Sequence, residues 1–503
     1  MNRTRNTLYL AVVSSASLLL TTASSLIIGR LILIYLGSDY NGLNGIVTQF
    51  LTVITLIEGG FTTASLVTLL KPYLDKDFFS VNQLISETTY KFHKIGKLAM
   101  LIGSVSALIY SLFLNTEIPY VTIVSILIIS LCGSVFKIAM VTKYRLIFQA
   151  AQEEYIYNFI LLCSNIVTYA LMILVLLKTK NIILMRSAQL LGTVIFCLAA
   201  RKIFYLRYPK IVTNCWDGKN RIQGTNDVMI GKIVGVIHSS STTIFLSLFS
   251  SVALTSVYSV YQSVFNIVSS VVNIFISSPQ NALGQILQEG KKENTEHIVI
   301  EFEYIVILVL SLLFIPLFIA LLPFVKIYTS GVNDIEYVNY KIALMLFIST
   351  YIQLLHIPSG LCIYMSGRFK TAKTIQLIAL VILISSNLIL GGIFGVYGIL
   401  FGMMLCNIAF AVMEIGYVHF KMMPKLFSKF LIRWIPNVLF TVILIVIFMP
   451  LGESFITDFF TLIVFVLLMI LVCALLLGTF NFIILKKPTK ALIQRVKRIF
   501  VKK

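Results

Sequence analysis

Fourteen apolar stretches, each long enough to cross a bilayer, fill nearly the whole chain, with only short polar connections between them. They run Leu8–Leu36, Leu43–Leu70, Ile95–Leu114, Tyr120–Met140, Tyr155–Leu177, Ile182–Ala200 and Val228–Phe249. They continue as Val252–Ser277, Tyr304–Phe324, Tyr340–Met365, Ala372–Leu390, Val396–Val418, Phe430–Met449 and Phe459–Leu485. About 20 residues rising ~1.5 Å each cover the hydrocarbon core, and a helix satisfies its own backbone there one segment at a time. The expected fold is an all-α polytopic membrane protein of about 14 transmembrane helices. Charge then gives it a direction. Most of the 40 Lys and Arg lie at the N-terminus, in the even-numbered connections and in the C-terminal tail. The odd-numbered connections and the span edge beside them hold only Lys178, Lys180, Lys326 and Lys341, the last at the start of the span Tyr340–Met365. Cytoplasmic loops carry such an excess, so both termini are expected in the cytoplasm and the protein in the inner (plasma) membrane.

At 58% hydrophobic and 12% charged, the chain is too apolar for a soluble domain. Its net charge of +20 is spread over short loops and so reflects topology, which excludes nucleic acid as the expected partner. The seven cysteines contain no CxxC and read as free thiols. No Walker A sequence, no HExxH and no metal-type Cys/His spacing occurs, so neither ATP hydrolysis nor metal chemistry is expected, and no cofactor. The first span is too long for a signal-peptide core and is interrupted by Arg30, so no cleavage is expected.

The longest polar stretch falls between the sixth and seventh spans. It divides the chain into an expected N-lobe (1–200, spans 1–6), a cytoplasmic linker (201–227) and a C-lobe (228–420, spans 7–12). Spans 13 and 14 (421–485) and a basic tail (486–503) follow. Two lobes of six spans enter the membrane with one polarity, which permits a parallel repeat. Ser80–Lys94 and Asn281–Ile300 mix apolar and charged positions at helical spacing and are expected as short amphipathic helices. The tail has Leu492, Ile493, Val496, Ile499 and Phe500 between its cations, a pattern suited either to an anionic lipid surface or to a solvated tail. Pro358-Ser359-Gly360 interrupts span 10 and Ser277-Ser278-Pro279 ends span 8, as kinks or hinges.

Several segments resemble the lipid-linked oligosaccharide flippases that export polysaccharide repeat units, the Wzx type, within the multidrug and oligosaccharidyl-lipid exporter superfamily. The strongest runs from Gly29-Arg30 through Leu36-Gly37-Ser38-Asp39-Tyr40-Asn41-Gly42-Leu43 and Glu58-Gly59-Gly60 to Lys71-Pro72-Tyr73-Leu74-Asp75-Lys76-Asp77. Val257-Tyr258-Ser259-Val260-Tyr261, Gly367-Arg368-Phe369-Lys370 and Phe394-Gly395-Val396-Tyr397-Gly398 follow in order. Many relatives carry an acidic residue in span 7, where this chain has Thr242; ion coupling through that acid is therefore not expected here. The resemblance implies a non-enzymatic transporter. Its substrate would be an undecaprenyl-diphosphate-linked oligosaccharide, moved from the inner to the outer leaflet of a bacterial cell membrane by alternating access. Membrane lipids, a coupling proton or sodium ion and polysaccharide polymerase machinery are the implied partners. A multidrug antiporter of the same superfamily is the alternative, and a membrane glycan polymerase a more remote one.

The polar residues inside spans are the candidates for transport, because a charge at mid-bilayer costs on the order of 3 kcal/mol and faces a cavity or a partner. Arg30 and Arg186 both lie in the outer part of N-lobe spans and are expected to hold the diphosphate. Guanidinium stays charged and grips phosphate with two parallel donors, although either residue would also reach the interface by snorkelling. Glu58, His238 and His356 are candidates for ion coupling or for polar cavity lining; local hydrogen bonding is the competing role of each. Lys232, near the cytoplasmic mouth of span 7, is placed to meet an entering headgroup. Glu414 reads as interfacial.

Overall fold

Local sequence decides where each helix begins. Asp77, Asn181, Asn339 and Asp458 each accept a backbone N–H from the first turn that follows, and Asp458 forms a reciprocal capping box with Thr461. The computed structural model describes residues 3–219, 221–222, 225–277, 280, 283–284, 287, 292–424, 426–486 and 488–490. Among them there is no strand. The helices are α1 Arg3–Leu36, α2 Ser38–Leu74, α3 Phe78–Leu112, α4 Tyr120–Ala150, α5 Glu154–Thr179, α6 Ile182–Arg207, α7 Thr225–Phe249 and α8 Val252–Ser277. There follow α9 Lys292–Tyr328, α10 Tyr340–Met365, α11 Phe369–Gly416 with a π-helical turn Tyr417–Met422, α12 Phe427–Phe455 and α13 Phe459–Ile484.

Eleven of these helices are long and apolar enough to cross a membrane, or twelve with the bent pair Ser38–Leu56 and Phe61–Leu74 counted as one span. Ile233–Phe249 is a shorter apolar helix. Every stretch read from the sequence falls on a helix, but spans 11 and 12 are joined within α11. Gly395, at φ 56 and ψ −130, turns α11 back on itself. Cys406 Sγ then bonds the Ala379 carbonyl, and Tyr417 Oη receives Thr371 Oγ1. Both pairs bracket Gly395 almost symmetrically, as two antiparallel arms require.

Three local expectations are corrected. Ser80–Lys94 is no separate amphipathic helix: it is the first part of α3, which runs unbroken into span 3. Pro358 does not interrupt α10, which is helical from Tyr340 to Met365. Of Asn281–Ile300, the part from Lys292 onward belongs to α9, and most of the remainder lies outside the described residues, as do Ser278, Pro279 and the tail beyond Lys490. All seven cysteines are free thiols.

The chain forms two compact units: Met1–Val257 with Gly331–Ile335, and Tyr258–Ser330 with Glu336–Lys503. In the first unit, two apolar clusters occupy opposite ends of the helices. Leu43, Ile46, Ile126, Leu127, Met185 and their neighbours form one; Leu84, Phe92, Tyr144, Phe148 and Phe204 belong to the other. The segment after α6 is strapped to α3. Val212, Cys215, Asp217 and Arg221 donate backbone N–H groups to the side chains of Asn82, Ser86, Gln83 and Glu87, all on one helical face. Arg207 forks onto Glu153 with Nε and a terminal nitrogen, at 2.8 and 2.7 Å. In the second unit, α9, α12 and α13 pack around Ile315, Phe318, Leu444 and Cys473. Above that core Asn437 and Asn481 exchange amide hydrogen bonds and Tyr304 donates to Asn481 Oδ1.

Candidate functional site

Between the two apolar ends of the first unit lies a polar cavity of about 220 Å³. Arg186 and Gln189 of α6, Lys137 of α4 and Asn165 of α5 line it, with Ser130, Thr168 and Thr193 among the hydroxyls. Small residues make the space: Gly133 and Gly192 both face it, and at Gly192 a Cβ would overlap Thr168.

Arg186 is 5% exposed. One terminal nitrogen donates to Gln189 Oε1 at 2.7 Å and the other to Asn44 Oδ1 at 2.5 Å. Both acceptors are neutral amides, so they orient the guanidinium without neutralising it. Its Nε is buried with no hydrogen-bond partner. A buried, unsatisfied donor on a charged group is rare, because it forfeits on the order of 1–3 kcal/mol of desolvation. Lys137 provides a second cation on the cavity wall, with its Nζ 5.8 Å from the Phe196 ring centroid. The hydroxyl and amide lining can bond sugar or phosphate oxygens, and Phe196 and Tyr169 offer ring faces.

The other sequence candidates are distributed differently. Arg30 is half-buried on α1 and is not among the residues lining the Arg186 cavity, so this cavity does not join the two arginines. Glu58 accepts from Thr62 Oγ1 at 3.3 Å, is hydrogen-bonded to Thr142 of α4, and feels the charges of Lys137 and Arg145. His238 is half-buried on α7. The side chain of Lys232 lies outside the described residues. His356 belongs to the second unit, where its Nδ1 lies 2.8 Å from Glu414 Oε2. Glu414, read as interfacial, is buried.

Sequence reasoning missed Lys137, Asn44 and Gln189. Lys137 sits three residues inside the end of an apolar stretch and reads as a topological cation; the signal that could have found it is its place on α4 beside Gly133 and Ser134. Gln189, at i+3 from Arg186, was visible as a helical neighbour. Glu303 and His419 were also passed over. They lie 3.1 Å apart in the fold yet far apart in the chain, each at the end of its own apolar run. Among the described residues no group of three or more His, Cys, Asp or Glu could hold a metal ion.

No family model and no curated protein matches this sequence. Solved structures do match in fold. One is the lipid II flippase MurJ in an inward closed conformation, with a TM-score of 0.69 at 15% identity over 95% of this chain and 100% of that one. An inward-facing multidrug-resistance MATE transporter of the MOP superfamily gives 0.60 at 13% identity, over 86% of this chain and 98% of that one. A point mutant of the Vibrio cholerae MATE transporter VcmN gives 0.56 at 15% identity, over 82% of this chain and 97% of that one. The chain has the all-helical fold seen in these MurJ flippase and MATE transporter structures.

Proposed function

We propose that this protein flips an undecaprenyl-diphosphate-linked oligosaccharide repeat unit from the inner to the outer leaflet of a bacterial cell membrane by alternating access. The product feeds cell-surface polysaccharide assembly. The observation that carries this reading is the buried guanidinium of Arg186, held by two neutral amides and lining a basic, hydroxyl-lined cavity. That is a site for an anionic, oxygen-rich headgroup. Arg30 is assigned a second contact with the diphosphate along its path. A full-length overlap with a solved lipid flippase supports the class of transporter.

The test is leaflet-specific labelling of the lipid-linked glycan in cells depleted of the protein. Glycan is expected to accumulate on the cytoplasmic face and to be exported again on expression of the wild type. A charge-assisted hydrogen bond contributes about 1.5–3 kcal/mol, so Arg186→Ala should lose roughly ten- to a hundredfold in export at equal membrane abundance. Full export by that variant would remove the anion site. A normal glycan distribution, with new sensitivity to cationic dyes on depletion, would instead point to a multidrug antiporter.

A further inference from the structure

The second unit carries a buried cluster of ionisable groups that an anion site in the first unit leaves unused. Glu303 of α9, His356 and Ser359 of α10, Glu414 of α11 and His419 of the π-helical turn form two carboxylate–imidazole pairs. The two glutamates and two histidines are all buried, the most accessible being 8% exposed.

Hydrogen-bond chemistry fixes where the protons sit. His419 Nδ1 lies 2.9 Å from the Ile415 carbonyl oxygen. A carbonyl only accepts, so Nδ1 carries a hydrogen. The other ring nitrogen, Nε2, is 3.1 Å from Glu303 Oε2. A neutral ring so arranged has a lone pair at Nε2, and a carboxylate has lone pairs as well; the contact therefore holds one further hydrogen. Ser359 Oγ donates to the other carboxylate oxygen at 2.9 Å and cannot supply it. Glu303 and His419 thus share one proton.

The second pair is built differently. His356 Nδ1 lies 2.8 Å from Glu414 Oε2, and an ionised carboxylate there can only accept, while His356 Nε2 is buried with no partner. With the hydrogen on Nδ1, that Nε2 is a bare lone pair enclosed by protein. A proton arriving there forms one N–H bond and breaks none. The imidazole becomes imidazolium, and the pair passes from one net negative charge to none. His356 and Ser359 are i and i+3 on α10, so both pairs meet one stripe of that helix. Gly360 leaves room for the Glu414 carboxylate, which a Cβ would overlap. His419 owes its position to the π-helical turn, a distortion that recurs at functional sites.

Among the described residues other polar groups face the cluster, and His297 Nδ1 lies 3.1 Å from the neighbouring Glu301 Oε1. Arg433 of α12 acts electrostatically on Glu301 and Glu303, and also donates to the Ile300 carbonyl. Cys362 of α10 faces Glu303. Phe410 stacks on His356, and Phe430 and Phe427 flank His419. From α13, Asn481 reaches Tyr304, and Thr489 beyond its end does so too; both are neutral. A hard cation such as sodium prefers an all-oxygen cage, whereas two imidazoles suit a proton.

We propose that this cluster is a proton-binding site, through which the second unit takes up and releases protons as the transporter cycles. The proposal rests on the transporter fold and not on which lipid or glycan is carried. The experiment uses the full-length protein reconstituted into phosphatidylethanolamine–phosphatidylglycerol vesicles without glycan lipid. Proton uptake is read with a pH dye, and infrared difference spectra are recorded between pH about 8 and about 5. Wild type should take up protons with imidazole and carboxyl bands changing together. His356→Gln should lower the uptake, and Glu303→Gln should abolish the Glu303 carboxyl signal and alter the His419 ring bands. Should Glu303→Gln fail to assemble, His356→Gln decides alone. Uptake and spectra equal to wild type in a folded variant would overturn the proposal. Normal proton uptake without glycan export would overturn the flippase reading and leave this one standing. Glycan export indifferent to a pH gradient, with unchanged uptake in the variants, would do the reverse.

Discussion

Arg186 keeps a fixed charge inside an apolar unit because its partners are amides that cannot take the charge away. The expected loss of export in Arg186→Ala should therefore be only partly repaired by Arg186→Lys. An ammonium has its three donors on one nitrogen and no planar fork with which to reach Asn44 and Gln189 from two separate nitrogens. Gly192→Ala should act through space alone: its new methyl meets Thr168, and overpacking of this kind costs about 1–3 kcal/mol, readable as a lower melting temperature in detergent. Glu153 gives a pH dependence. Hydrogen bonds from Arg207, then from Tyr208, hold its carboxyl below the ordinary value of 4.5. Stability from this pair is therefore present above that value and is lost as pH falls through the lower folded one. Glu153→Gln should flatten the acid limb of a pH–stability curve, by on the order of 1 kcal/mol or less for so exposed a pair. Arg186 was legible because a lone Arg in an apolar run is costly. Lys137 was not, because charge near the end of a span has a cheap alternative in snorkelling, and only the tertiary structure shows a cavity beside it. The Glu303–His419 pair was hidden for the same reason twice over.

Elements were the most legible level, since the hydrocarbon core demands one continuous helix per crossing and forbids anything else. What the pattern could not resolve was where one helix ends and another begins. Span 3 and the polar stretch before it became one helix, α3, because Asp77 caps the start and nothing between Phe78 and Leu112 breaks it. Spans 11 and 12 became the arms of α11, because a single glycine makes the reversal. The positive φ at Gly395, with ψ near −130, is a conformation that residues with a Cβ avoid. Gly395→Ala should therefore cost about 1–3 kcal/mol, measured as thermal stability of the purified protein. An unaltered melting temperature would mean that the hairpin relaxes without loss. The polar stretch after α6 reads from sequence as a cytoplasmic linker, and its backbone N–H groups pair with Asn82, Gln83, Ser86 and Glu87. Those four positions fall on one face of α3, a pattern that is visible only once their partners are known.

For the whole molecule, the proposed cargo sets an energy scale. A diphosphate diester carries about two negative charges, and moving both outward across an inside-negative 100 mV gains about 4.6 kcal/mol. That exceeds the few kcal/mol that separate conformers of a typical transporter. Collapsing the membrane potential while retaining the pH gradient should thus slow glycan export several-fold, and an unchanged rate would exclude the potential as a driving force. The division of the chain bears on how it is made as well as on how it works. The first unit is contiguous up to Val257, and only Gly331–Ile335 joins it from further along. A ribosome that has released Val257 has already delivered all of α1 to α7, and α7 packs on α2 within that unit. Domains of a growing chain generally fold in order of synthesis. The cavity around Arg186 can therefore be complete before most of the second unit has been translated, and biogenesis would proceed as two successive assemblies rather than one late collapse.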